Sequence, residues 1–162
     1  MGIRDENGNW CDTNDTIAEV AIQYFKNIYT SSQPTSFDDV TGAIPSKVTN
    51  EMNMKLIKEF SKDEILTALK QMHQTKALGP DGMSTIFFHK YWDIVGNGVT
   101  NMALNVLNSN MPISEINKTN IAFILKTKSP TKMTEFKSIS LSNVAYKIIA
   151  KVLYNRLKAV LP

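Results

Sequence analysis

Lys126, Lys128, Lys132 and Lys137 crowd one short stretch, and Lys147, Lys151, Arg156 and Lys158 follow close behind. With Lys118 they make nine cations from Ile116 onward against a single acid, Glu135, whereas the first 115 residues hold nine basic and fourteen acidic side chains. The last third therefore carries about +8 and the rest about −5, a division hidden by the net charge of +3. Cations packed this densely repel one another unless an anion lies against them. Phosphate, as nucleic acid or nucleotide, is the natural partner. Clustered carboxylates that could hold a metal cannot be built from this end, because no Asp or Glu follows Glu135.

Other chemistries find little support in the spacing. His73 and His89 lie sixteen residues apart with no Cys-His or His-Glu pattern around them, so no metal site is expected. Cys11 is the one cysteine, which excludes an internal disulfide. Asp81 sits in a turn, where Asp commonly bonds its own backbone, and that role is expected rather than catalysis. No Ser-His-Asp signature occurs, and Gly79, Gly82, Gly96 and Gly98 do not form a phosphate loop of Walker type. No catalytic residue is assigned.

The elements that must carry the cations are legible from periodicity. At 162 residues and 43% hydrophobic content the chain is one domain in size with enough apolar material for a core. No apolar run approaches a membrane span and no signal core opens the chain, so it reads as soluble and intracellular, with no membrane partner. Asp12-Thr13-Asn14-Asp15 offers N-caps for a helix with Ile17, Val20, Ala21, Tyr24 and Ile28 on one stripe. Residues 31–46 read as a connector, and a second helix is expected from Ser46 to Phe60. Ser61 and Glu64 form a capping box for a helix whose stripe is Ile65, Leu69 and Met72. That helix must stop before the Gly79-Pro80-Asp81-Gly82 turn. Helical spacing resumes at Phe88, Tyr91, Trp92 and Val95, then at Val99, Met102, Ala103 and Val106, with a break expected at Gly96-Asn97-Gly98.

Ile121 to Leu125 is a short apolar run typical of a buried strand, and Phe136 to Leu141 alternates as a second strand. The two are expected to form a hairpin whose basic loop reaches toward phosphate. A final helix from about Asn143 to Leu161 has Ile148, Ile149, Val152, Leu153, Leu157 and Val160 as its apolar face. Lys147, Lys151 and Lys158 point the other way as one stripe, which could track a phosphate backbone, although such a stripe is more often the solvated side of a surface helix. Arg156 falls on the apolar side. It must snorkel out, pair with a carboxylate from elsewhere, or meet a ligand.

Several segments taken in order resemble one family: Lys76-Ala77-Leu78-Gly79-Pro80-Asp81-Gly82 with Phe87-Phe88 and Tyr91-Trp92, Asn120 to Lys126, Glu135-Phe136, Ile139-Ser140-Leu141, Tyr146 to Ile149 and Asn155-Arg156-Leu157. The chain is similar to the front of the reverse transcriptase of non-LTR, LINE-type retrotransposons, particularly those of plants. The resemblance reaches weakly upstream to Asn7-Gly8-Asn9-Trp10, so it spans nearly the whole chain. It implies an α+β, predominantly helical fold, the fingers portion of a right-hand polymerase with a short antiparallel β-hairpin. Residues 1–60 would be a helical extension and connector, and residues 61–162 the fingers segment, cut before the palm.

The same resemblance implies that Lys126 and Lys137 face the triphosphate of an incoming dNTP. Fixed cations there would neutralise the triphosphate and stabilise charge on the transferring phosphoryl group. Lys137 stands where the family pattern has Arg, and Leu125 and Ser138 stand where it has Pro. Partners by resemblance are an RNA template or RNA/DNA hybrid, with Lys128, Lys132, Lys147, Lys151 and Lys158 as backbone contacts, and the nucleus is the implied place of action. Mg2+ belongs to the palm of the full-length enzyme and is not expected on this chain, which alone should not polymerise. The alternative is a non-catalytic RNA- or DNA-binding protein derived from the same source.

Overall fold

The computed structural model describes residues 2–42 and 47–161. The elements in order are β1 (Ile3–Arg4), β2 (Trp10–Cys11), α1 (Asn14–Tyr29), α2 (Asp38–Thr41), α3 (Asn50–Ile57), α4 (Lys62–Lys70), α5 (Thr85–Lys90), α6 (Trp92–Ser109), β3 (Thr119–Leu125), a 3-10 turn at Met133–Glu135, β4 (Phe136–Ser142) and α7 (Val144–Lys158). They form two compact units that interleave along the chain. One comprises residues 1–45 and 122–139, and the other residues 46–121 and 140–162.

In the first unit, β1 and β2 pair antiparallel with Ile3 opposite Cys11. Asp5 builds the turn between them by accepting from the Asn7 and Asn9 amides at 2.9 and 2.8 Å, and Gly8 supplies the positive φ of +85° that closes it. This small hairpin escapes a reading by periodicity because each strand has two residues, although Asn7-Gly8 is a known hairpin signal. Thr13 caps α1 through the Thr16 amide. The expected connector contains one helical turn, α2, and its residues 43–46 lie outside the described part, as does the expected start of the second helix at Ser46.

The second unit holds the main core. Ile65, Ala68 and Leu69 of α4 meet Val144, Ile148, Ile149 and Val152 of α7, with Phe88 and Ala103 closing the cluster. The capping box forms as expected: the Glu64 amide donates to Ser61 Oγ and the Ser61 amide donates to Glu64 Oε2 at 2.8 Å.

Three expectations require correction. The apolar run Ile121 to Leu125 forms a strand but not a buried one, since Ile121, Phe123, Ile124 and Leu125 are exposed. The helix break does not fall at Gly96-Asn97-Gly98, because α6 runs unbroken from Trp92 to Ser109 and the interruption lies at Tyr91. Gly96 is in the helix for packing: a Cβ there would lie 2.7 Å from the Trp92 ring. The apolar face of the last helix is also narrower than its composition suggests. Val144, Ile148, Ile149 and Val152 are buried, whereas Leu153 and Leu157 are exposed.

Candidate nucleic-acid interface

The basic hairpin of the first unit is held in shape by its single acid. Glu135 accepts from the Thr131 amide at 2.6 Å and the Lys132 amide at 3.2 Å, while its carbonyl accepts from the Lys126 amide at 2.9 Å. These bonds, the Thr131 amide first, hold the Glu135 carboxyl below its ordinary value. The Arg4 amide donates to the Thr131 carbonyl at 2.6 Å, which ties β1 to the same loop. Glu135 therefore serves the backbone, and among the described residues the cations around it form no ion pairs.

Strand alternation sorts the side chains. The ten-residue connection between β3 and β4 leaves antiparallel pairing as the only option, and the Lys126–Glu135 bond sets Ile124 opposite Lys137. Phe123 and Phe136 share one face, where their rings meet edge to face at 5.9 Å and Phe25 of α1 stacks on Phe123 at 5.9 Å. Lys126 and Lys137 share the opposite face with Ile124, and all three are exposed. Lys126 Nζ donates to the Thr134 carbonyl at 2.9 Å, and the bond is exposed. Lys128 and Lys132 project from the loop into solvent.

In the second unit the Gly79-Pro80-Asp81-Gly82 turn docks on the start of α7. The Asp81 amide donates to Asn143 Oδ1 at 3.2 Å, and a Cβ at Gly79 would sit 2.5 Å from the Asn143 nitrogen. Asp81 accepts from the Met83 amide at 3.0 Å, the local bond expected of it, and Gly82 takes φ +68°. Lys147 Nζ donates to the Ala77 carbonyl at 2.6 Å. Burial lowers the pKa of Lys147, Lys76 pushes the same way and Asp81 opposes them. Lys147 is thus engaged by the loop, unlike the rest of its stripe.

Arg156 resolves by pairing. Its Nε and Nη2 donate to the two carboxylate oxygens of Glu64 at 2.7 and 3.0 Å, Nη1 donates to the Leu56 and Lys58 carbonyls, and Nη2 also donates to the Glu59 carbonyl at 2.9 Å. All five guanidinium N–H groups are used. The plane lies 3.4 Å from the centre of the Phe60 ring. Its role is to join α3, α4 and α7. The partner, Glu64, lies 92 residues away in sequence, and no local pattern could have identified it.

Lys151 and Lys158 remain. Lys151 Nζ sits 4.4 Å over the Tyr154 ring, and Lys158 is exposed. Among the described residues, none of Lys126, Lys128, Lys132, Lys137, Lys151 and Lys158 forms an ion pair. Also among them, no three His, Cys, Asp or Glu side chains gather as metal ligands. No helix is long and apolar enough to cross a membrane.

No family model matches the chain. Over 159 residues it is 24% identical to the transposon TX1 uncharacterized 149 kDa protein of Xenopus laevis, an alignment covering 96% of this chain. The chain spans about 12% of that protein's length. The similarity supports descent from a transposon-encoded protein.

Proposed function

We propose that this chain is a fingers segment of a non-LTR retrotransposon reverse transcriptase, of the kind found in plants, that contacts RNA template, RNA/DNA hybrid and dNTP phosphates and lacks the carboxylates needed to join nucleotides. The observation that carries the proposal is the open face of the β3–β4 hairpin, where Lys126 and Lys137 lie on one side with no acid paired to them. The distant transposon relative and the ordered motifs supply the context. Phosphates neutralised by such cations release counterions, which gives binding a steep salt dependence.

The test is anisotropy with labelled RNA and RNA/DNA hybrid under a salt titration, alongside a primer-extension assay. The expected result is binding at low salt without extension. Replacing both Lys126 and Lys137 with Ala lowers the log–log salt slope by about 1.4 on single strands, since each phosphate contact contributes about 0.7. An unchanged slope removes the hairpin from the interface. Template-dependent synthesis favours an active polymerase instead, whereas binding that added dNTP leaves unchanged favours the second reading, a non-catalytic RNA- or DNA-binding protein.

A further inference from the structure

A groove of about 590 Å³ runs between α4 and α7 in the second unit. The two helices bury their facing apolar stripes and leave polar edges along this groove. One edge carries Lys151 and Lys158. The other carries Asp63, Thr67 and Gln71, while Asn155 lies on α7 between the two lysines. Glu64 also borders the space, but Arg156 and Ser61 already engage its carboxylate. Among the described residues, the side chains of Asp63, Thr67, Gln71, Asn155 and Lys158 have no hydrogen-bond or ion-pair partner, and Lys151 touches only the Tyr154 ring.

The two edges differ in chemistry. Seven residues of helix place Lys151 and Lys158 roughly 10 Å apart along the axis, so they meet different phosphates of one strand. Opposite them stand an acceptor-only carboxylate, an amide and a hydroxyl, with the Asn155 amide between the lysines themselves. These groups bond to base edges, with Asp taking an exocyclic amine and Gln or Asn taking paired donor and acceptor positions. Asp63 repels phosphate from the α4 side, so the backbone is driven to α7 and the bases turn toward α4. Watson–Crick edges are free to be read in this way only in an unpaired strand.

The geometry points to a single-stranded polynucleotide site in the α4–α7 groove of the second unit, with phosphates on Lys151 and Lys158 and base edges on Gln71, Asn155 and Asp63. The inference rests on the reading of the chain as a nucleic-acid-binding segment and adds a second contact to it. The shared chemistry of RNA and DNA is what the groove recognises, so both are tested.

The experiment uses the whole chain, with far-UV circular dichroism confirming that each variant folds. Short labelled homopolymers of RNA and of DNA are titrated at several salt concentrations, with an unlabelled duplex as competitor. Lys151→Ala with Lys158→Ala is expected to weaken single-strand binding about tenfold and to lower the salt slope by about 1.4. Gln71→Ala with Asn155→Ala is expected to level the affinities among the homopolymers and leave the slope unchanged. Binding RNA and DNA alike, or one of them alone, supports the site and identifies its ligand. Duplex competing as well as single strand overturns it. Retained affinity and slope in the Lys151/Lys158 variant also overturns it, and if the Lys126/Lys137 variant then loses binding, the hairpin reading survives alone. Absence of all binding at low salt removes both.

Discussion

At the scale of single residues, Arg156 has every donor committed, which makes its replacement by lysine far from conservative. An ammonium cannot serve both Glu64 oxygens and three carbonyls at once. Arg156→Lys is expected to cost roughly 2–4 kcal/mol by urea denaturation, less than for a fully enclosed pair because the Glu64 side chain is 34% exposed. The same contact makes stability depend on pH. Hydrogen bonds from Arg156, the largest cause, hold the Glu64 carboxyl below its ordinary value of 4.5. Its contribution is complete above that value and is lost as pH falls through the lower, folded-state value. A Glu64→Gln variant should be less stable than the parent at neutral pH, and its denaturation midpoint should fall less steeply on acidification. Thr85 offers an opposite case. Its hydroxyl is buried at 0% exposure with no partner among the described residues. Thr85→Val should therefore raise stability by about 1 kcal/mol in the same denaturation assay, since it removes an orphaned polar group of nearly the same shape.

At the scale of elements, α6 shows why glycine is ambiguous as punctuation. Gly96 and Gly98 are both helical, yet their surroundings differ: the Trp92 ring fills the place of a Cβ at Gly96, whereas nothing lies within 4 Å at Gly98. Gly98→Ala should stabilise the protein by about 0.5–1 kcal/mol, and Gly96→Ala should destabilise it because the ring must move. Paired thermal melts of the two variants check the prediction, and equal shifts would contradict it. The sequence shows two glycines directly between two stretches of helical spacing, one next to Val95 and the other next to Val99. Only the position of Trp92 distinguishes a packing glycine from a breaker. By contrast, Ser61 and Glu64 were legible in advance because both halves of the capping box lie within one turn.

At the scale of the whole molecule, elements governed by nearest neighbours were readable and long-range pairings were not. The charge division, the capped helices and the two strands of the basic hairpin follow from spacing alone. That Arg156 must find a partner was also legible, but its choice of Glu64 depended on α7 packing against α4. The same packing exposes Leu153 and Leu157, which an unaided helical wheel places inside. Among the cations, periodicity grouped Lys147 with Lys151 and Lys158, whereas the Ala77 carbonyl sets Lys147 apart.

The interleaving of the two units also sets a timetable for synthesis. The second unit needs residues 140–162 to complete it, and α7 supplies Val144, Ile148, Ile149 and Val152 to its core. While the ribosome makes the stretch after α6, Ile65 and Leu69 have Phe88 and Ala103 beside them but lack the α7 side chains that complete their cover. At about 5–20 residues per second, that leaves a nascent chain sticky for several seconds before α7 emerges. During that interval, holdase chaperones would be the natural guardians of the half-made protein.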